Sequence, residues 1–169
     1  MTRGWDDLKP LLLRPPRWTL AVAESLTCGH VQARVGSIPG ASGFFVGGLT
    51  AYTLEQKVRH LEVTRGEAEA TDCVSEQVAR EMARGACRLF GSELAVATTG
   101  YAETPPAGRG AAAFAWWALA HQTPAGRVER AGRIDCPAAS RAEVQARVAE
   151  AVLSELCEYV RAARRAPRA

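Results

Sequence analysis

The chain has 169 residues, 47% of them hydrophobic and 23% charged, the size and balance of one globular domain with a substantial core. Subtracting the four tail charges of Arg161, Arg164, Arg165 and Arg168 from the formal net charge of +3 leaves −1, so no general basic face for nucleic acid is implied. No apolar run reaches membrane-spanning length, and Leu11-Leu12-Leu13 meets Pro15-Pro16 too soon to be a signal core, so no membrane partner is expected.

Cys28, Cys73, Cys87, Cys136 and Cys157 show no C-x-x-C spacing and read as the free thiols of a cytoplasmic protein. His30, His60 and His121 are scattered and form no ligand motif, so neither a metal nor a cofactor is expected.

In chain order, residues 2–14 suggest a short helix interrupted by Pro10, and 18–23 a first strand. A polar turn around Ser25 leads into a helix over 27–35. A Gly/Pro loop spans 38–43, and β-formers over 44–53 predict a second strand with a bulge or close approach at Gly47-Gly48. A short helix over 54–60 and an irregular or partly helical stretch over 61–73 come next. Ser75 caps an amphipathic helix in which Val78, Met82, Ala86 and Leu89 share a face. A third strand covers 94–98, followed by a loop over 101–110. The runs 111–120 and 127–134 read as a hairpin. Ser140-Arg141-Ala142-Glu143 is a capping box ahead of a helix with a stripe of Val144, Val148, Val152, Leu156 and Val160.

Alternation of strands and helices predicts an α/β fold, a three-layer α/β/α arrangement with a mixed, mostly parallel sheet. One domain is expected over 1–160. Residues 161–169 form a basic tail, read as a solvated helix end, with a nucleic-acid contact as the less favoured alternative.

Of the 21 basic residues only Lys9 and Lys57 are lysine, so a lysine here suggests a need for an amine that can lose its proton. In a parallel sheet, Ser25 after the first strand, and Tyr52 and Lys57 after the second, reach the same edge. A serine hydroxyl becomes a nucleophile when a base takes its proton, and a desolvated lysine can be that base. Tyr52 could relay the proton or hold the amine. Amides near Ser25, Thr27 and Gly29 could stabilise an oxyanion or bind a phosphate. The residues alone leave alternatives open: Ser25 as a helix cap, Tyr52 as sheet packing, Lys57 as a solvated charge, and Glu24 as a carboxylate at the site or at an edge.

Ala23-Glu24-Ser25-Leu26-Thr27-Cys28-Gly29 resembles the A-E-S-C-T-G-G motif of the CinA carboxy-terminal domain family. Ala51 to Lys57 is similar to its A-Y-S-N-E-x-K, and Ser37 to Ser42 to its S-x-P-G-S-S loop. Val74 to Ala83 is similar to its V-S-E-x-V-A-x-x-M-A helix, and Thr99-Gly100-Tyr101-Ala102 to the start of its T-G-I-A-G-P loop. The resemblance runs from about residue 18 to 160, without the amino-terminal domain of longer members, which suggests a stand-alone form.

It implies a nicotinamide-nucleotide amidase that converts nicotinamide mononucleotide to the nicotinate form and ammonia without a metal. It further implies Ser25 as nucleophile, Lys57 as base and Tyr52 nearby, with a small nucleotide as ligand and a homo-oligomeric assembly. Glu24, Thr27, Cys28, Gly29, Thr99 and Gly100 would then lie against substrate, and Arg141 would hold its phosphate. Leu26 and Cys28 depart from the first motif. The family's glycine-rich G-P-x-G-G is replaced by Glu103-Thr104-Pro105-Pro106-Ala107-Gly108-Arg109-Gly110, where Glu103 would repel a phosphate. The alternative is a family member that binds a nucleotide-like ligand or a protein partner without turnover.

Overall fold

Three strands share one alternation. Leu20-Ala21-Val22-Ala23, Leu94-Ala95-Val96-Ala97 and Trp117-Ala118-Leu119-Ala120 place large side chains at every second position and alanine between them. Successive strand residues point to opposite faces, so this pattern builds a sheet with one bulky face and one smooth face. The computed structural model, which describes residues 4–165, has that sheet. Its elements are α1 (Leu8–Leu13), β1 (Leu20–Glu24), α2 (His30–Gly36), β2 (Phe45–Thr50), α3 (Leu54–Leu61), α4 (Arg65–Ala70), α5 (Glu76–Phe90), β3 (Leu94–Tyr101), β4 (Ala113–Thr123), β5 (Gly126–Cys136) and α6 (Arg141–Arg165).

The bulky face packs Leu20, Val22, Leu94, Val96, Trp117 and Leu119 against residues of α1, α2 and α6. The smooth face sets the intervening alanines against Val78, Met82 and Ala86 of α5 and Leu61 of α3. Alanine on that side lets α5 lie close to the strands. On α6 the expected stripe of Val144, Val148, Val152, Leu156 and Val160 is completely buried, each side chain contributing about 1.5–3 kcal/mol on burial. Helices thus cover both faces, giving the three layers.

The strand order is β2-β1-β3-β4-β5. β1 pairs in parallel with β2 and β3, whereas β3–β4 and β4–β5 are antiparallel. The sheet is therefore mixed in equal parts rather than mostly parallel, because β4 follows β3 without a crossover helix and can only run back along it. The three parallel strands end at one edge, and β1 lies between β2 and β3 there.

Several boundaries differ from expectation for local reasons. Pro10 sits inside the first turn of α1, where its missing N–H costs no helical bond. Residues 2 and 3 of the expected first helix lie outside the described residues. The helix expected from 27 begins at His30, because Cys28 and Gly29 take positive φ of 46° and 96° in the turn. The β1–β2 register shifts between Leu20 and Ala21, opposite the expected bulge, and a Cβ at Gly47 would strike the Phe90 ring. The 61–73 stretch contains α4 and ends in two left-handed residues, Asp72 (φ 54°) and Cys73 (φ 60°).

Helix α6 continues through Arg165, into the segment expected as a solvated tail. Arg161 pairs with Asp7 at 2.8 Å. The Arg164 guanidinium lies 3.4 Å from the Trp18 ring centroid and donates to the Leu11 and Pro16 carbonyls. Two of the four tail arginines therefore hold the amino-terminal segment; Arg168 lies outside the described residues. No described helix is long and apolar enough to cross a membrane.

Candidate active site

The carboxyl ends of β1 and β3, with the start of α3, surround a cavity of about 390 Å³. This is the edge at which parallel α/β sheets present ligand sites. Ser25 follows directly on β1, and its amide donates to the Thr98 carbonyl at 3.0 Å, extending the β1–β3 pairing by one residue. It does not cap α2, whose cap position is Gly29. Thr53 caps α3 by accepting the Gln56 amide, and one turn in, Lys57 points back toward the sheet.

Lys57 Nζ lies 2.9 Å from Ser25 Oγ and donates to the Tyr52 carbonyl at 3.2 Å. Both side chains are nearly closed to solvent, Lys57 at 1% and Ser25 at 7% exposure. Among the described residues no carboxylate pairs with the amine, so burial dominates and pushes Lys57 below its ordinary value of 10.5, against smaller upward pulls from Cys73 and Asp72. Lysine with its charge removed is a hydrogen-bond acceptor, the state a general base requires.

Tyr52 is 53% exposed; its main chain, through the carbonyl, contacts the amine. The Tyr52 phenol instead acts on Arg141, whose strongest partner is Glu103: Arg141 Nε donates to Glu103 Oε1 at 2.8 Å. That contact holds Glu103 below the ordinary carboxylate range and Arg141 above its own.

Thr99 and Gly100 line the cavity. The Thr99 hydroxyl donates to the Cys73 carbonyl at 2.6 Å, and a Cβ at Gly100 would run into the β4 backbone at Phe114 and Ala115. Asp72 and Cys73 face them from the left-handed turn before α5. Asp72 accepts from the Tyr101 hydroxyl at 2.9 Å, and burial, with Asp72 beside it, pushes that phenol up to about 12. Sequence reasoning did not single out Asp72, Cys73 or Tyr101 as cavity residues. Two successive non-glycine residues in the left-handed region are a structural signal that no composition rule supplies.

Glu24, Thr27, Cys28 and Gly29 lie outside the cavity lining. Glu24 is fully buried, and its carboxylate accepts three amides of the α2 start: Gly29 and Val31 on one oxygen, Gln32 on the other. The helix amides expected to meet a ligand anion already have an internal one. The Thr27 hydroxyl bonds that of Thr98 at 2.7 Å, and Cys28 is exposed. Of the turn amides, Ser25 and Gly29 are therefore engaged. Among the described residues no acceptor pairs with the Leu26 or Thr27 amide. No cluster of three or more metal-ligating side chains occurs among the described residues.

An α/β sheet whose parallel edge holds a buried serine–lysine pair defines the class of this protein. Residues 9–160 match the model of the CinA C-terminal domain, and the chain belongs to that family. A CinA-like protein of Chlorobaculum tepidum is 46% identical over 91 residues, 54% of this chain and 22% of the relative. One from Geobacter metallireducens is 46% identical over 97 residues, 57% of this chain and 24% of the relative. The matches thus span about a quarter or less of these curated relatives. Among solved structures, the competence damage-inducible protein A of Klebsiella pneumoniae superposes with a TM-score of 0.82 at 26% identity, covering 94% of each chain. A CinA superfamily protein of Escherichia coli superposes at 0.79 and 25% identity, covering 92% of this chain and 88% of that one.

Proposed function

We propose that this chain is a metal-independent amidohydrolase of the nicotinamide-nucleotide amidase type, working by a serine–lysine mechanism. The observation that carries the reading is the 2.9 Å approach of a desolvated Lys57 amine to Ser25 Oγ at the rim of the cavity. The Tyr52 carbonyl takes one N–H of the amine, which turns its lone pair toward the serine hydroxyl. Lys57 accepts the hydroxyl proton as Ser25 Oγ attacks the carboxamide carbon. The unpaired amide of Leu26, which lines the cavity, supplies a donor for the developing oxyanion, in the position after the nucleophile where such donors recur. Collapse of the tetrahedral intermediate breaks the C–N bond, and Lys57 returns its proton to the leaving ammonia. Water, deprotonated by Lys57, then cleaves the ester to release the carboxylate and restore Ser25.

The test is ammonia release from nicotinamide mononucleotide and from nicotinamide riboside. Turnover of either by the wild type, lost in Ser25→Ala and in Lys57→Ala, supports the mechanism. Undiminished turnover in either variant removes it. The second reading, a ligand-binding relative without turnover, draws on the Arg141–Glu103 contact alone, and calorimetric binding with no ammonia release would favour it.

A further inference from the structure

The charges around the cavity are already matched to one another. Arg141, the residue expected to hold a substrate phosphate, has its guanidinium on Glu103 at 2.8 Å, with the Tyr52 phenol beside it. Across the cavity the Asp72 carboxylate holds the Tyr101 hydroxyl, and Arg109 from the 103–110 loop acts on the same phenol. Of the charged side chains that line the cavity, Asp72 and Glu103 are acids and Arg141 is the permanent cation. Lys57 is the fourth, and it acts as base only when neutral. In that state the lining holds two carboxylates and one guanidinium, Glu103 lies on Arg141, and Arg109 outside the lining stands near Asp72 at the Tyr101 phenol.

A phosphate dianion entering this lining must share Arg141 with Glu103 or displace it, and it meets like charge in either case. A carboxamide without a phosphate leaves the Glu103–Arg141 pair intact. We propose that Glu103 sets the substrate class, so that the site takes a phosphate-free carboxamide, uncharged or cationic, in preference to its phosphorylated form. This rests on the amidase reading and goes beyond it by choosing between substrates that differ only in the phosphate.

The experiment compares kcat/KM for nicotinamide riboside and nicotinamide mononucleotide. The wild type is expected to favour the riboside. Glu103→Gln, which frees Arg141 without removing a polar side chain, is expected to raise the mononucleotide-to-riboside ratio roughly tenfold. Adding Arg141→Ala to Glu103→Gln should return the ratio to its starting value. A wild type that favours the mononucleotide, or a ratio unmoved by Glu103→Gln, overturns the proposal. If neither compound releases ammonia, the amidase reading has failed by itself. The same ratio is then read from dissociation constants of the two compounds for the wild type and Glu103→Gln by calorimetry. An unmoved ratio, or binding of neither compound, overturns the proposal there too.

Discussion

Lys57 Nζ stands 2.9 Å from Ser25 Oγ although 32 positions separate the two residues. The meeting follows from strand order. β1 and β2 run in parallel, so the residues after each emerge at one edge, and the Thr53 cap starts α3 immediately beyond β2. Lys57 then falls one helical turn in, on the face turned to the sheet. Because a helix rather than a loop carries the amine, its position is held by the packing of Leu61 in the core behind it.

Burial lowers Lys57 from 10.5, which has two consequences of definite sign. The rate constant kcat/KM for carboxamide hydrolysis should rise with pH through the depressed Lys57 pKa and level off above it. Lys57→Arg, unable to release a proton, should lose roughly 10²–10⁴-fold in kcat. Folding also makes this amine give up its proton more readily. Its contribution to stability is therefore full above 10.5 and is lost as pH falls toward the folded value. Lys57→Met should flatten that part of a urea-denaturation profile measured against pH.

Glu24→Gln should destabilise the fold by about 1–3 kcal/mol in urea denaturation, the cost of a buried acceptor site replaced by a donor. The carboxylate receives three amides, and no conformation of a carboxamide offers acceptors on both sides. KM should change less than stability does, since Glu24 does not line the cavity. A variant with wild-type stability and a raised KM would instead put Glu24 on the substrate.

The residues alone left Ser25 open as a helix cap and Lys57 as a solvated charge. A serine at a strand-to-helix junction and the scarcity of lysine pointed to the pair, and the resemblance of Ala23–Gly29 and Ala51–Lys57 to the CinA motifs selected it. The layers were legible from helix stripes and strand runs. The Leu-Ala-Val-Ala alternation, present in both β1 and β3, would also have told which face of the sheet takes α5. Glu24 was not legible as an internal helix cap, because its partners become reachable only through the left-handed turn at Cys28 and Gly29. The Arg141–Glu103 contact joins residues 38 apart across the cavity mouth, and no local pattern encodes it. Tyr52 shows the same limit: its place after β2 was readable, but not that its carbonyl would face Lys57 and its phenol Arg141.

Gly85 lies inside α5, where alanine ordinarily gains up to about 1 kcal/mol in helix propensity. Here a Cβ would collide with the Leu61 carbonyl at the end of α3, and its distances to Leu61 Cα and C would be 2.6 and 2.7 Å. Backbone cannot give way as a flexible side chain can. Gly85→Ala should therefore destabilise, by roughly 1–3 kcal/mol as overpacked cores do. Since α3 also carries Lys57, kcat should fall with KM less affected. A Gly85→Ala protein as stable and active as the wild type would mean that α3 and α5 can separate at no cost.

His121 is buried on the bulky face of the sheet at 3% exposure. Its Nδ1 lies 2.8 Å from the Tyr159 hydroxyl, and the Trp18 ring meets it edge-on at 4.4 Å between centroids. Burial first, and then Arg164, push its pKa down to about 4, while Glu93 pulls weakly the other way. The imidazole is thus neutral in the fold and takes up a proton readily only when the chain unfolds. Its contribution to stability is complete above the ordinary 6.5 and is lost as pH falls from 6.5 toward 4, by at most about 3 kcal/mol. His121→Asn loses the ring packing and is expected to be less stable at neutral pH, but with a shallower decline between pH 6.5 and 4. Urea midpoints across that range separate the two effects, since packing sets the offset and proton uptake sets the slope. An unchanged slope in the variant would assign the acid sensitivity between pH 6.5 and 4 to groups other than His121.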